Sequence, residues 1–273
     1  MDEQDRTMSR PRNRLDGAGA EHDERAEETL AAVSVVLPVY NEEACVDRCF
    51  EVVHQYAKEA KEYEFIWVDD GSTDQTARRL SQRIAERGCE RIRLISYARN
   101  EGKGFAIKTG FAKSRGGLVV FTDGDLAYSL DHLAVMVEAL RDCDVVIGSR
   151  QLASDGLVNQ RGFVRKVLGE GFNRLARAIV QLPYRDTQAG LKGFRREAAE
   201  KIFPRQRIEG YSTDVEMLFL AKRLGFKVGE IAARVCHQHT TKPSSVNLWR
   251  DPPRMLRDML LIRFHALCRN YDE

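Results

Sequence analysis

The sequence predicts an α/β fold, a single domain with a mostly parallel central sheet flanked by helices. Three observations predict it. Short apolar runs alternate with helical stretches from residue 32 onward, and strands apolar on both faces belong in a parallel sheet whose crossover helices cover both sides. Polar clusters follow the strands, at residues 40–42, 69–74, 100–104 and 123–125, which is where open α/β sheets bind ligands. The 273 residues, 43% of them hydrophobic, suffice for one large domain or two small ones with a full core.

The elements follow in order. Residues 33–39 (Val-Ser-Val-Val-Leu-Pro-Val) read as a buried strand, followed by a helix over 44–59. The second strand, 65–68, ends in Asp69-Asp70-Gly71-Ser72-Thr73-Asp74, where Ser72 or Thr73 is placed to cap a helix over 75–86. A third strand at 92–95 precedes a helix over 104–114, and a fourth at 118–121 precedes a helix over 129–140. A fifth strand covers 145–147. Beyond it the pattern is less regular: a helix over 162–182, a loop over 184–193, a strand-like 191–195, a helix over 212–224 and a strand near 228–235. Pro252 and Pro253 open the last helix, since proline loses no needed N–H in a first turn.

Composition excludes several classes. A formal net charge of +2 makes no case for nucleic acid. No run approaches the roughly 18 apolar residues of a membrane span, and no signal-peptide core is visible at the start. The six cysteines include no C-x-x-C pair, and Cys45 and Cys49 lack companions for a zinc set, so a reduced, cytoplasmic protein is expected. Residues 1–30 mix Asp, Glu and Arg with Gly and Ser and show almost no apolar periodicity. Such a segment buries too little surface to offset ordering entropy and reads as a disordered tail.

The chemistry concentrates at Asp123-Gly124-Asp125, just past the fourth strand. In extended backbone alternate side chains share a face, so both carboxylates aim at one spot. They repel unless a cation sits between them. Hard oxygen donors favour Mg²⁺ or Mn²⁺, which hold substrate phosphates while bound by one or two protein carboxylates. An acidic pair can equally mark a solvated turn, and its neighbours decide. A dinucleotide-cofactor fold is disfavoured because no G-x-G-x-x-G follows the first strand.

Those neighbours are Val35-Val36-Leu37-Pro38-Val39-Tyr40-Asn41-Glu42, Val68 to Asp74, Asn100-Glu101-Gly102-Lys103-Gly104 and Asp123-Gly124-Asp125-Leu126. With them the chain resembles the family 2 glycosyltransferases of GT-A fold, most closely the dolichyl/polyprenyl-phosphate glucosyl- and mannosyltransferases. Gly148-Ser149-Arg150, Arg165-Lys166, the stretch Asp186 to Phe194, and Asp214-Val215-Glu216 extend the match. The resemblance makes 31–250 the GT-A catalytic domain and 251–273 a C-terminal amphipathic helix. It implies an inverting, metal-dependent hexosyltransferase with a UDP-glucose or GDP-mannose type donor and a polyprenyl/dolichyl phosphate acceptor. A soluble enzyme of the same fold acting on a small molecule or peptide is the alternative, and a non-catalytic nucleotide-sugar binder the third reading.

Carried over by residue, Pro38, Tyr40 and Glu42 line the nucleoside pocket, and Asp70 bonds the base with Val68 beside it. Asp123 contacts ribose or metal waters, Gly124 lies between the acids, and Asp125 binds Mg²⁺ or Mn²⁺ across the diphosphate. Lys103, in a glycine-flanked loop, approaches phosphate closely, and Lys242 reaches the donor diphosphate. Arg150 and Arg165 match the arginines that hold lipid phosphate, to which a guanidinium binds bidentately. Asp214 or Asp186 serves as base if the acceptor is an alcohol. Three departures stand out: Ala127 where family members that complete the metal motif carry Gln, Gly169 where a serine is frequent, and Thr240 to Ser245 in place of a basic Gly-x-Ser-Lys segment. Water can complete the metal shell, as can an imidazole of His237 or His239, whose other reading is packing at a strand edge. The last helix, with Arg254, Arg257, Arg263 and Arg269 among apolar residues, can lie peripherally on the inner face of a membrane or pack on the domain.

Overall fold

The computed structural model describes residues 32–153, 175, 177–210, 212–235 and 251–272. The chain runs β1 (Val33–Val39), α1 (Val46–Glu59), β2 (Tyr63–Asp69), α2 (Thr76–Arg87), β3 (Ile92–Ser96), α3 (Lys103–Lys113), β4 (Leu118–Thr122), α4 (His132–Ala139) and β5 (Val145–Ser149). It continues with β6 (Leu191–Arg195), α5 (Arg196–Ile202), a 3₁₀ turn (Phe203–Arg205), α6 (Thr213–Arg223), β7 (Val228–Ala232) and α7 (Asp251–Leu267). The sheet order is β3-β2-β1-β4-β6-β5-β7. Strand β6 alone runs antiparallel to both its neighbours.

Register decides where the site forms. β1 pairs with β2 from Val33↔Tyr63 to Val39↔Asp69, and with β4 from Val33↔Leu118 to Val36↔Phe121. Parallel neighbours end on the same rim, so the loops after Val39, Asp69 and Thr122 emerge together. Antiparallel β6 enters the sheet at this rim, with Leu191 opposite Thr122. The segment 186–190 therefore lies beside the acidic pair, although it follows that pair by some sixty residues in the chain.

Two cores sandwich the sheet. Val36, Ile66, Val68, Phe121 and Phe194 point to α3, α5 and α6, while Val35, Leu37, Phe65, Trp67 and Val120 point to α1, α2 and α4. The period-two alternation of the strands feeds both layers, and each fully buried large side chain contributes about 1.5–3 kcal/mol. In α7, Met259 and Ile262 are buried in the first core, together with Tyr271 beyond the helix, while Leu260, Phe264 and Leu267 stay exposed.

The structure departs from the sequence expectation at several ends. Neither Ser72 nor Thr73 caps α2, whose N-cap is Gln75; the Ser72 hydroxyl instead accepts from the Asn41 amide at 2.9 Å. Helix α4 starts at His132 because Ser129 and Asp131 form a turn, with Ser129 Oγ donating to Asp131 Oδ2 at 2.7 Å. β7 stops at Ala232, and Val235 makes only an isolated bridge with Tyr128. The unexpected α5 is anchored by Arg196, which donates to Gly116 O at 2.9 Å and to Ser114 Oγ at 3.0 Å.

Candidate active site

The loops after β1 and β2 build the rim by binding each other. Asn41 takes a left-handed conformation (φ 54°), and its Oδ1 accepts from the Thr73 amide at 2.8 Å. The Glu42 amide donates to Thr76 Oγ1 at 2.8 Å, and the Glu43 amide to Asp74 Oδ2 at 3.2 Å. This leaves Tyr40 exposed and Pro38 and Glu42 half-buried at the mouth of the site.

Two residues expected to face the nucleoside do other work. Asp70 is buried, and its carboxylate accepts from Tyr97 Oη (2.7 Å), Asn100 Nδ2 (2.8 Å), Glu101 N (2.9 Å) and Gly102 N (3.0 Å). A carboxylate has about four lone-pair directions, so Asp70 shapes the 100–103 loop rather than offering an acceptor to a base. Val68 lies fully buried beneath the rim. There it would touch a Cβ on Gly110, at 3.1 Å, and has no face toward a ligand.

The acidic pair sits where β4 leaves the sheet. Gly124 lies flat on β1: a Cβ there would be 2.2 Å from Val39 Cγ1 and 2.8 Å from Pro38 O. Leu126, buried and at φ 51°, holds the turn in a conformation that L-residues rarely adopt. Asp125 accepts only the Ala127 amide, at 3.0 Å, among its described hydrogen bonds. Burial, then the neighbouring Asp123 charge, push the Asp125 carboxyl up to about 6. A cation between the two acids would relieve both effects, so the donor set fits Mg²⁺ or Mn²⁺. Among the described residues no three His, Cys, Asp or Glu side chains converge as a metal cage, which suits an ion completed by substrate phosphates.

Basic groups surround the pair in a line of alternating charge. Lys103 Nζ lies 2.9 Å from Asp123 Oδ1 and 3.2 Å from Asp214 Oδ2. The other oxygen of Asp214 lies 2.7 Å from Lys192 Nζ, which also donates to Ala189 O. Burial by itself would raise the Asp214 carboxyl, but the two ammonium groups outweigh it and hold it below the usual range. Both ammonium groups stand 5.6 Å from the Phe121 ring centre. A further pair closes the site: Arg150 Nε and Nη2 donate to Asp186 Oδ2 and Oδ1 at 2.7 and 2.9 Å. Glu230 fixes that loop by accepting from the Arg185 amide at 2.8 Å. Tyr128, buried, stands near Arg150 and Asp123.

The structure thus brings Asp123, Gly124, Asp125, Lys103, Asp214 and Arg150 to one rim with Pro38, Tyr40 and Glu42. Arg165, Lys242, His237 and His239 lie outside the described residues. Lys192, Gly190 and Tyr128 carry roles that the sequence reading did not assign. Lys192 had a usable signal: a lysine in a short apolar strand requires a buried carboxylate.

The chain and its fold have counterparts among known proteins. The family model described as "Glycosyl transferase family 2" matches residues 34–203. A dolichyl-phosphate beta-glucosyltransferase from Dictyostelium discoideum is 32% identical over 86% of this chain and 75% of its own length, and that of Homo sapiens 31% identical over 86% and 76%. Among solved structures, glucosyl-3-phosphoglycerate synthase from Mycobacterium tuberculosis in complex with phosphoglyceric acid matches with a TM-score of 0.62 at 20% identity. It covers 85% of this chain and 80% of its own. The same enzyme in complex with Mn²⁺, UDP-glucose and phosphoglyceric acid also gives 0.62 at 20%, covering 85% and 79%. The expected cofactors, Mn²⁺ and Mg²⁺, are both present in solved structures of this fold.

The acceptor expected from the sequence is corrected by these findings. The two solved complexes named above hold phosphoglyceric acid, a soluble small molecule, rather than a polyprenyl phosphate. As the sequence predicts, no helix among the described residues is long and apolar enough to cross a membrane; α7 turns Met259 and Ile262 into the domain. The chain belongs to glycosyl transferase family 2 and is an enzyme with the GT-A fold.

Proposed function

We propose, from that membership, that the chain transfers a glucosyl group from UDP-glucose to a soluble small-molecule acceptor with Mg²⁺ or Mn²⁺ as cofactor. One observation carries the reading: a single rim gathers a carboxylate pair, a lysine touching one of its acids, and an arginine locked by a buried aspartate. Relatives named as glucosyltransferases and a fold counterpart in complex with UDP-glucose support the donor.

Asp125 and Asp123 would hold the divalent ion, which would supply Lewis-acid neutralisation of the diphosphate's charge. Lys103 adds a fixed positive charge beside it, in a site where burial strengthens electrostatics. Tyr40, Pro38 and Glu42 frame the entrance for the nucleoside. Asp186 fixes the Arg150 guanidinium, a third of whose side chain remains exposed (35%), as a preorganised handle for an anionic acceptor. Asp214, shared by two lysines, orients charge, and the proton of the attacking acceptor hydroxyl passes to the departing diphosphate, which carries away the electrons of the broken sugar–oxygen bond.

The test is transfer with Mn²⁺, a panel of nucleotide sugars including UDP-glucose and GDP-mannose, and soluble phosphorylated and carboxylated alcohols. UDP release and product mass are followed together. Glucose transfer to a soluble acceptor that disappears in Asp125→Ala supports the proposal; turnover that survives Asp125→Ala refutes the metal assignment. The exposed ridge of Leu260, Phe264 and Leu267, with Arg257 exposed on the same helix, supports peripheral contact of α7 with an anionic surface. Co-sedimentation with phosphatidylglycerol vesicles that is lost in Phe264→Asp checks it, and equal recovery of both proteins refutes it.

A further inference from the structure

Lys192, Asp214, Lys103 and Asp123 form one chain of alternating charges that runs from the core to the rim. Side-chain exposure rises along it from 0% at Lys192 through 5% at Asp214 and 19% at Lys103 to 37% at Asp123. The inner half is rigid. Lys192 is fixed by Asp214 Oδ1 at 2.7 Å and by Ala189 O. Gly104 presses the start of α3 onto α6, where a Cβ would stand 2.7 Å from Thr213 Oγ1 and 2.5 Å from Ile208 O. The Gly104 amide also donates to Glu209 O at 2.8 Å. Lys103 is thereby tethered beside Asp214. Only its flexible end spans to Asp123, whose carboxylate also bears on Gly190.

We propose that Lys103 is a resident counter-ion for the acidic pair: it occupies Asp123 when no divalent ion is bound, and turns to the donor diphosphate when the ion takes Asp123. Asp214 is the positioning residue that tethers Lys103 in both states, and Lys192 holds Asp214 in place from the core side at 2.7 Å. The inference rests on the metal-dependent reading above. Two neighbouring carboxylates repel even where one of them is partly solvated, so an ammonium at one of them stabilises the free enzyme. The same contact competes with metal until the diphosphate offers Lys103 a replacement partner. Metal and nucleotide should therefore bind cooperatively, because each removes a cost that the other would otherwise meet.

The test measures Mn²⁺ binding to the full chain by loss of the free-ion electron paramagnetic resonance signal, with and without UDP. In Lys103→Met, Mn²⁺ alone should bind about tenfold more tightly, whereas UDP at saturating Mn²⁺ should bind about tenfold more weakly. Asp214→Asn leaves Lys103 with Asp123 as its one carboxylate partner among the described residues, so Mn²⁺ should bind more weakly. The double variant should match Lys103→Met, because no tether matters once the lysine is gone. Simple addition of charges instead predicts a double variant that falls between the two, displaced from Lys103→Met by the full effect of Asp214→Asn. Unchanged or weaker Mn²⁺ binding in Lys103→Met, unchanged UDP affinity, or additive behaviour of the pair would each overturn the proposal. Should Asp214→Asn fail to fold, the two Lys103→Met measurements decide alone. Absence of Mn²⁺ binding to the unaltered chain, even with UDP, would sink the metal-dependent function itself and this inference with it.

Discussion

Gly190→Ala separates the geometry of the site from the stability of the fold. A Cβ at Gly190 would stand 2.0 Å from Asp123 Oδ2 and 2.7 Å from Asp123 Cγ. Ordinary contact begins at 3.4 Å, so the carboxylate oxygen must withdraw by about 1.4 Å. A misplacement of about 1 Å at a reacting centre costs on the order of 100-fold, which sets the expected fall in kcat/KM. Stability moves little. The Lys103–Asp123 pair is partly solvated at its acidic end, and such pairs contribute under about 1 kcal/mol. Gly190 is not among the positive-φ glycines, so alanine restricts the unfolded chain and returns about 0.4–1 kcal/mol. The melting temperature should stay within about 4 °C of the unaltered protein. Gly117→Ala is the control, since the nearest atom to its Cβ lies 3.9 Å away. The assay couples UDP release to absorbance at saturating Mn²⁺, alongside a thermal melt. Full activity in Gly190→Ala, with unchanged Mn²⁺ affinity, would show that Asp123 does not have to sit where this structure places it.

Gly104→Ala brings a Cβ within 2.5 Å of the Ile208 carbonyl oxygen, which belongs to backbone and yields poorly; overpacking of about 1–3 kcal/mol should lower the melting temperature by several degrees. Asp70→Asn places an amide donor among the Tyr97, Asn100 and Gly102 donors. The mismatch should cost about 1–3 kcal/mol and raise amide hydrogen exchange across residues 100–103. Glu64 is buried, which alone would raise its carboxyl, but Ser34 Oγ, the Arg115 amide and the Arg93 guanidinium outweigh burial and hold it below the usual 4.5. A depressed carboxyl stabilises the fold fully above pH 4.5 and loses that contribution as pH falls through its lower folded value. Glu64→Gln should therefore melt earlier at neutral pH and show a flatter decline below pH 4.5, read by thermal melts across pH.

The sheet was legible because its strands announce themselves twice, by apolar runs and by the polar residues that end them. Parallel pairing then turned four sequence clusters into one rim. What escaped detection was contact between segments distant in the chain. Asp70 reads as a free acid at a strand end, yet the loop bearing Asn100 folds over it and fills its oxygens. Val68 reads as a rim residue, but alternation turns it under the sheet against α3. Gly190 stands in a stretch that carries the family resemblance, yet its role exists only once antiparallel β6 brings it against Asp123. Acceptor choice was the least legible feature: an arginine that suits a lipid phosphate suits a soluble phosphate equally.

Lys192 shows why the buried charges belong to function rather than to folding. A fully buried ion pair stabilises little, and an apolar pair of similar volume serves a core as well or better. Lys192 and Asp214 nevertheless lie inside a core made of Phe121, Phe194 and Ile107. Burial presses the Lys192 ammonium to lose its proton, and the Asp214 carboxylate opposes that pressure only in part. Removing either member leaves the other uncompensated, so the pair is fixed in place by what it would cost to break. Its outward consequence is the placement of one ammonium, Lys103, between an immobile carboxylate and one at the rim. A fold that needed only stability would gain nothing from that placement. A site that must alternate between an empty acidic pair and one bearing a metal and a diphosphate gains a fixed positive charge at the point where negative charge changes hands.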